Sequence, residues 1–462
     1  MFSSIEFLGF FAVLLIGYAR VRSESMRRTT MMVANFVFYA WWDWRFCLLI
    51  LVGALVDFRI AVRIADADTM RGQRGWLALS VLYNLGILVF FKYADFLVDN
   101  GSVLFGVVHK QRFNIVLPLG ISFFTFQAMS YTLDVFRRQF PATRRFSDFA
   151  FSMTFFPHLI AGPIVRASHF MPQLDGPHPL TANNLRVGGS RFLRGFLKKV
   201  LFADTFAVCA DHVFASPSSF AAASVWLGVA AYTAQIYFDF SGYSEMAIGL
   251  ARVFGFEFPE NFDRPYLATN ITEFWRRWHM SLSTWLRDYL YISLGGNRRG
   301  RARTYLNLLA TMLLGGLWHG ASWTFVVWGG LHGIALAAHK AWGELLRGRR
   351  SSGLGARMAG WAFTLLFVMV CWVFFRASST DAALIVLAKM AGLDAGGADW
   401  LHTQTLVLLG VVVLVYLIES MRPGFAKLDV GLPHHAVGAF AALLMALLFS
   451  PVGYAPFIYF QF

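Results

Sequence analysis

The segment Gly315-Gly316-Leu317-Trp318-His319-Gly320-Ala321-Ser322-Trp323 sets one imidazole among glycines and tryptophans, at the junction of two apolar runs. A titratable ring is expensive in lipid and by default marks function there. An unperturbed imidazole has a pKa of ~6.5, which suits a general base near neutrality, and a positioned acid–base group is worth roughly 10²–10⁴ in rate. His319 follows Arg303 by 16 residues. That is roughly 24 Å of helix at 1.5 Å per residue, short of the roughly 30 Å hydrocarbon core. The ring is therefore expected within the membrane, nearer its outer side. His332, in Gly329-Gly330-Leu331-His332-Gly333, falls 13 residues further along the returning helix. The plainer reading of either ring is a buried histidine hydrogen-bonded between helices.

A second stretch, residues 270–289, begins with Asn270 and Glu273, the spacing of an N-cap and a carboxylate that opens a helix. On that helix Trp275, His279 and Ser283 recur every four residues and share a face. Arg276, Arg277, Arg287, Arg298, Arg299, Arg301 and Arg303 stand against one acid, Asp288. Guanidinium pairs bidentately with phosphate, so this surface suits the pyrophosphate of coenzyme A or a carrier's phosphopantetheine. Anchoring of lipid head groups is the competing use. Asp239 and Glu245 lie inside a third, apolar run. They need partners, either in a structural polar network or on a substrate. No nucleophile elbow, phosphate-binding loop, zinc-protease motif or Cys/His cluster is present, so neither a metal nor serine-hydrolase chemistry is expected.

The elements that must position these residues are membrane helices. Of 462 residues, 57% are apolar and only 14% charged, against roughly 25% charged in soluble domains. Three cysteines cannot staple a chain this long. The net charge of +14 fits the basic bias of cytoplasmic loops, and nucleic acid is not an expected partner. Charge punctuation predicts spans at 5–19, 33–60 (out and back, turning at Trp41-Trp42-Asp43-Trp44), 76–98, 113–136, 200–214 and 222–254. Further spans are expected at 305–318 with 323–339, then 361–375, 405–418 and 436–449, for roughly 11–12 in all. Residues 146–174, broken by Pro157, Gly162-Pro163 and Pro172, read as re-entrant. Residues 262–303 read as a basic cytoplasmic loop, and His434-His435 as solvated. The expected fold is an all-α polytopic membrane protein with one membrane domain. Its parts are N-terminal spans (1–145), a catalytic core (146–340) and C-terminal spans (341–462).

Five motifs in order carry a resemblance. They are Phe156-Pro-His-Leu-Ile-Ala-Gly-Pro-Ile-Val-Arg166, the Tyr237–Glu245 run, Asn261-Phe-Asp-Arg-Pro-Tyr266, Trp275-Arg-Arg-Trp-His-Met-Ser-Leu-Ser283 and Leu317-Trp-His-Gly320. Together the chain resembles the membrane-bound O-acyltransferase family, and within it the bacterial branch that modifies alginate and teichoic acid. The resemblance implies a ring of tilted helices around a cytoplasmic and an extracytoplasmic funnel. It implies His319 as the catalytic histidine and His279 at the family's second polar position. Trp275, Arg276, Arg277, Ser283, Trp318, Asp239, Glu245 and His332 are candidate donor or substrate contacts.

The implied reaction passes an acetyl group from a cytoplasmic thioester, acetyl-CoA or an acyl carrier, across the inner membrane for O-acetylation of an extracytoplasmic polysaccharide. No cofactor is permanently bound. The implied partners are an extracytoplasmic acetyltransferase, membrane lipids and a cytoplasmic acyl carrier. His319 would act as base or as a transient acyl acceptor, while His279 orients the thioester or polarises its carbonyl. D-alanyl transfer to teichoic acid, a solute transporter and a non-catalytic scaffold are the alternatives.

Overall fold

The computed structural model describes residues 2–106, 113, 115–346, 353–394, 396–421 and 457. Among them there are helices and one isolated bridge, between Phe220 and Ala398, but no strand. The first helix, α1 (Ile5–Arg20), is capped by Ser4, whose hydroxyl accepts from the Phe7 N–H. The tryptophan cluster turns the chain as expected, with α2 (Glu24–Asp43) and α3 (Arg45–Asp66) meeting at Trp44. Next, α4 (Met70–Leu88) runs through a π-helical turn, Val89–Tyr93, into α5 (Ala94–Phe105).

The expected 113–136 span is helical only as α6 (Ile121–Phe136). Pro118 supplies no N–H, and Gly120 sits at φ 74°, so the helix cannot start earlier. Residues 146–174 are broken where the prolines and glycines fall, into α7 (Phe146–Thr154), α8 (Phe156–Leu159), α9 (Ala167–Phe170) and a 3₁₀ turn, Met171–Asp175. Most of this segment is buried, so protein rather than lipid surrounds its irregular backbone.

A second continuous rod joins α10 (Ala182–Leu197), the π-helical Lys198–Ala203 and α11 (Asp204–Ala215). It packs along α12 (Ala222–Val253), a 32-residue helix at the centre of the core. The two cross at matched glycines. A methyl group on Gly188 would lie 2.6 Å from the Gly249 carbonyl oxygen, and one on Gly242 would lie 2.7 Å from that of Gly195. Small residues allow this backbone contact where lipid gives helices no hydrophobic reason to associate.

The basic stretch holds α13 (Ile271–Arg277), α14 (Met280–Trp285) and a π-helical turn, Leu286–Tyr291. Its first half is not an exposed loop, because Phe274, Trp275, Trp278, Leu282 and Trp285 are buried in the protein, whereas Arg298, Arg299, Arg301 and Arg303 remain exposed. Its apolar side chains draw it inward while Arg276 and Arg287 stay outside. The hairpin forms as expected from α15 (Arg301–His319) and α16 (Trp323–Leu345). After α17 (Leu354–Arg376) comes α18 (Thr380–Met390), which the charge pattern does not announce, and then α19 (Thr403–Met421). The expected span at 436–449 and His434-His435 lie outside the described residues.

Two described helices are long and apolar enough to cross a membrane by length and composition, Met70–Phe105 and Leu354–Arg376, with Thr403–Ile418 a shorter apolar one. Three of the other expected spans are shorter or more charged for local reasons. Helices α1 and α6 have 16 residues, and α3 carries Asp57, Arg59 and Arg63. Asp57 is fully buried and accepts from Ser80 Oγ (2.6 Å) and Asn84 Nδ2 (2.9 Å) on α4. Large apolar side chains face outward all the same: Val13 is 72% exposed, Leu82 69% and Phe363 74%. A soluble monomer rarely presents so much apolar surface.

Candidate active site

Helix α15 ends at His319, and its last carbonyls need partners from outside the helix. The π-helical turn between α4 and α5 provides them. Tyr93 donates its hydroxyl to the Leu317 carbonyl (2.6 Å), and Lys92 donates to the carbonyls of Trp318 and His319, the latter at 3.0 Å. On the other side, a methyl group on Gly316 or Gly329 would overlap the backbone of the facing helix. Glycine at both positions lets α15 and α16 touch.

From this end a chain of rings runs through the interior. The His279 ring centroid lies 6.3 Å from Trp318, and Trp318 lies 4.9 Å from His319. His319 is 5.0 Å from Trp328, Trp328 is 4.8 Å from His332, and His332 is 5.2 Å from Trp275. Five of the ten candidate residues therefore meet in one cluster. His319 keeps 6% of its surface accessible, whereas His279 and His332 keep none. The Trp275 indole N–H donates to His332 Nδ1 at 3.3 Å. Indole nitrogen only donates, so the neutral His332 ring carries its proton on Nε2.

The expected shared face of Trp275, His279 and Ser283 does not form, because the helix breaks between α13 and α14. Trp278 is extended and His279 is left-handed, at φ 40° and ψ 56°. A competing set of hydrogen bonds explains the break. The Met280 N–H donates to the Asn261 carbonyl (2.9 Å), the Asp263 N–H donates to the Arg277 carbonyl (2.9 Å), and the Ser281 N–H donates to Asn261 Oδ1 (3.2 Å). A left-handed non-glycine residue costs on the order of 1 kcal/mol, and such residues gather at functional sites. The Ser283 hydroxyl donates to the Trp278 carbonyl, across the break.

The remaining candidates stand apart from the rings. Arg276 is exposed, and Arg277 pairs with Glu273 at 2.7 Å. Asp239 pairs with Lys199 at 3.0 Å and Glu245 with Lys198 at 2.7 Å, both across the crossing of the second rod and α12. Asp288 binds Arg166 and Arg287, each at 2.7 Å. Burial works against its ionisation, but those two hydrogen bonds outweigh it and hold the carboxyl below the ordinary carboxylate range. A cavity of about 580 Å³ lies elsewhere, beside Arg138 and Arg144.

Lys92, Tyr93 and Asn261 escaped the reading of the sequence. A lone lysine in the 76–98 run was the available signal for Lys92, since such a charge is costly in a span. Asn261 opens one of the quoted motifs, but nothing in its sequence neighbourhood assigns it a partner.

An all-helical body with an apolar exterior and histidines gathered at a helix end defines a membrane protein with an internal polar site. It belongs to the membrane-bound O-acyltransferase family, whose model matches residues 145–380, and it is an O-acyltransferase. A Pseudomonas putida protein named probable alginate O-acetylase AlgI is 42% identical over 498 aligned positions covering 100% of both chains. A Helicobacter pylori peptidoglycan O-acetyltransferase is 38% identical over 85% of this chain and 78% of its own. A Streptococcus thermophilus teichoic acid D-alanyltransferase is 31% identical over 52% of this chain and 60% of its own.

Proposed function

We propose that this enzyme takes an acetyl group from a cytoplasmic thioester and passes it across the inner membrane, in a multi-pass fold, for O-acetylation of an extracytoplasmic polysaccharide. The observation that carries this reading is the full-length similarity to the probable alginate O-acetylase. The relative named for D-alanyl transfer matches about half of the chain, which favours acetyl over D-alanyl. Membership of an acyltransferase family sets the transporter and scaffold readings aside.

In the proposed reaction the acceptor hydroxyl oxygen attacks the thioester carbonyl carbon. His319 takes the hydroxyl proton, the C–S bond breaks, and the thiolate leaves with that proton as the free thiol. His279 orients the thioester. The donor is acetyl-CoA or an acyl carrier, and an extracytoplasmic acetyltransferase then passes the acetyl to the polymer: a polymer hydroxyl attacks the ester carbonyl, the first C–O bond breaks, and the first acceptor is released as its hydroxyl. The aromatic rings around His319 keep bulk water from competing with the acceptor. The test is His319→Ala in a normally inserted protein, with the polymer analysed by mass spectrometry. Loss of polymer acetylation by 10²-fold or more is expected, and unchanged acetylation would sink the proposal.

A further inference from the structure

The Asn261 side chain, 1% exposed, is the hub of the break that carries His279. Its Oδ1 accepts from the Ser281 N–H (3.2 Å) and the Ser281 hydroxyl (2.9 Å), and lies 3.1 Å from His279 Nδ1. Its Nδ2 donates to Ser244 Oγ at 3.1 Å. A backbone N–H can only donate, so the amide atom facing Ser281 must be the oxygen, and the orientation of the Asn261 amide follows from the network. The Ser281 hydroxyl agrees, because it accepts from the Ile164 N–H (2.9 Å) and has its own proton left for Oδ1.

An amide oxygen beside Nδ1 requires Nδ1 to bear the proton. A neutral imidazole has one N–H, so the lone pair falls on Nε2. That nitrogen is buried, and no hydrogen bond reaches it among the described residues. His332 has the opposite arrangement, with Nδ1 accepting from Trp275. The two imidazoles thus turn opposite chemical faces from the same ring position.

We propose that Asn261 is a positioning residue that locks His279 as the Nδ1–H tautomer, so that Nε2 meets the acyl donor as a hydrogen-bond acceptor. This rests on the reading of His279 as an active-site residue. A bare Nε2 cannot polarise a carbonyl, which needs a donor. His279 instead orients the thioester by accepting from a donor group beside it, such as an amide N–H of a pantetheine arm.

The test uses the full chain labelled with ¹⁵N-histidine in nanodiscs, with His279→Gln to assign the resonance. Nitrogen shifts should show Nδ1 protonated and Nε2 bare at His279. Asn261→Leu should mix the tautomers and lower kcat on the order of 10²-fold, while Asn261→Asp keeps an acceptor on Nδ1 and restores both. A wild-type His279 protonated on Nε2 overturns the lock. Lost activity in Asn261→Leu with an unchanged tautomer also overturns it, since Asn261 would then only brace the backbone. Full acetylation by His279→Gln would instead remove His279 from the active site and leave the tautomer assignment standing.

Discussion

The side-chain nitrogen of Lys92 lies 3.0 Å from the carbonyl oxygen of His319, joining a π-helical turn in the first quarter of the chain to the end of α15 more than two hundred residues later. With Tyr93 it accounts for the carbonyls of three consecutive residues, Leu317 to His319. Inserted turns of this kind are rare and recur at functional sites. Here the extra residue lets two neighbouring side chains reach one helix end together.

Removing the Lys92 amine leaves two buried carbonyls without their donor, at about 1–3 kcal/mol each. Lys92→Met should therefore lower polymer acetylation by tenfold or more while the protein still inserts. Lys92→Arg should recover part of it. Acetylation by Lys92→Met equal to wild type, at matched protein level, would refute the bracing role.

His332 accepts from the Trp275 indole in the interior. His332→Leu strands that N–H, so the detergent-solubilised enzyme should lose about 1–3 kcal/mol of stability. Trp275→Phe paired with His332→Leu removes both polar groups, and a double-mutant cycle should return part of the loss. Purely additive losses would show that the hydrogen bond has no net worth.

Asp288 links the broken segment of α7 to α9 to the basic segment through Arg166. Its folded pKa is depressed, so its stabilising effect is complete above the ordinary aspartate pKa of about 3.9 and fades as pH falls through the lower folded value. At pH 7, Asp288→Asn should melt earlier than wild type. The two melting curves should converge as pH is lowered beneath about 3.9. A gap that stays constant down to pH 3 would contradict this linkage.

Arg298, Arg299 and Arg303 are exposed, and no acidic side chain pairs with them among the described residues. If they hold the donor's pyrophosphate, Ala at any one should raise KM for acetyl-CoA about tenfold, since a charge-assisted hydrogen bond is worth roughly 1.5–3 kcal/mol, with kcat unchanged. Unaltered KM in the triple Ala variant would leave head-group anchoring as their use.

Much of the helical frame was legible because apolar runs and arginines alternate along the chain. The turn at Trp44 and the breaks at Pro157, Pro163 and Pro172 are written in residue types whose backbone limits are local. The interruption at His279 was not legible. Four-residue spacing from Trp275 to Ser283 reads as continuous helix, and the atoms that end it belong to Asn261, in another segment. Lys92 was hidden for a related reason: within its own span it is only a flaw in hydropathy, and its partner is the far end of α15. Local preference was a good guide to the helices and a poor one to the contacts that set the histidines.

The paired glycines of α10 and α12 have a mechanical consequence. Two rods touching backbone to backbone at two points seven residues apart on each can neither roll nor slide without collision. The crossing therefore fixes the second rod and α12 as one unit, against which the other helices pack.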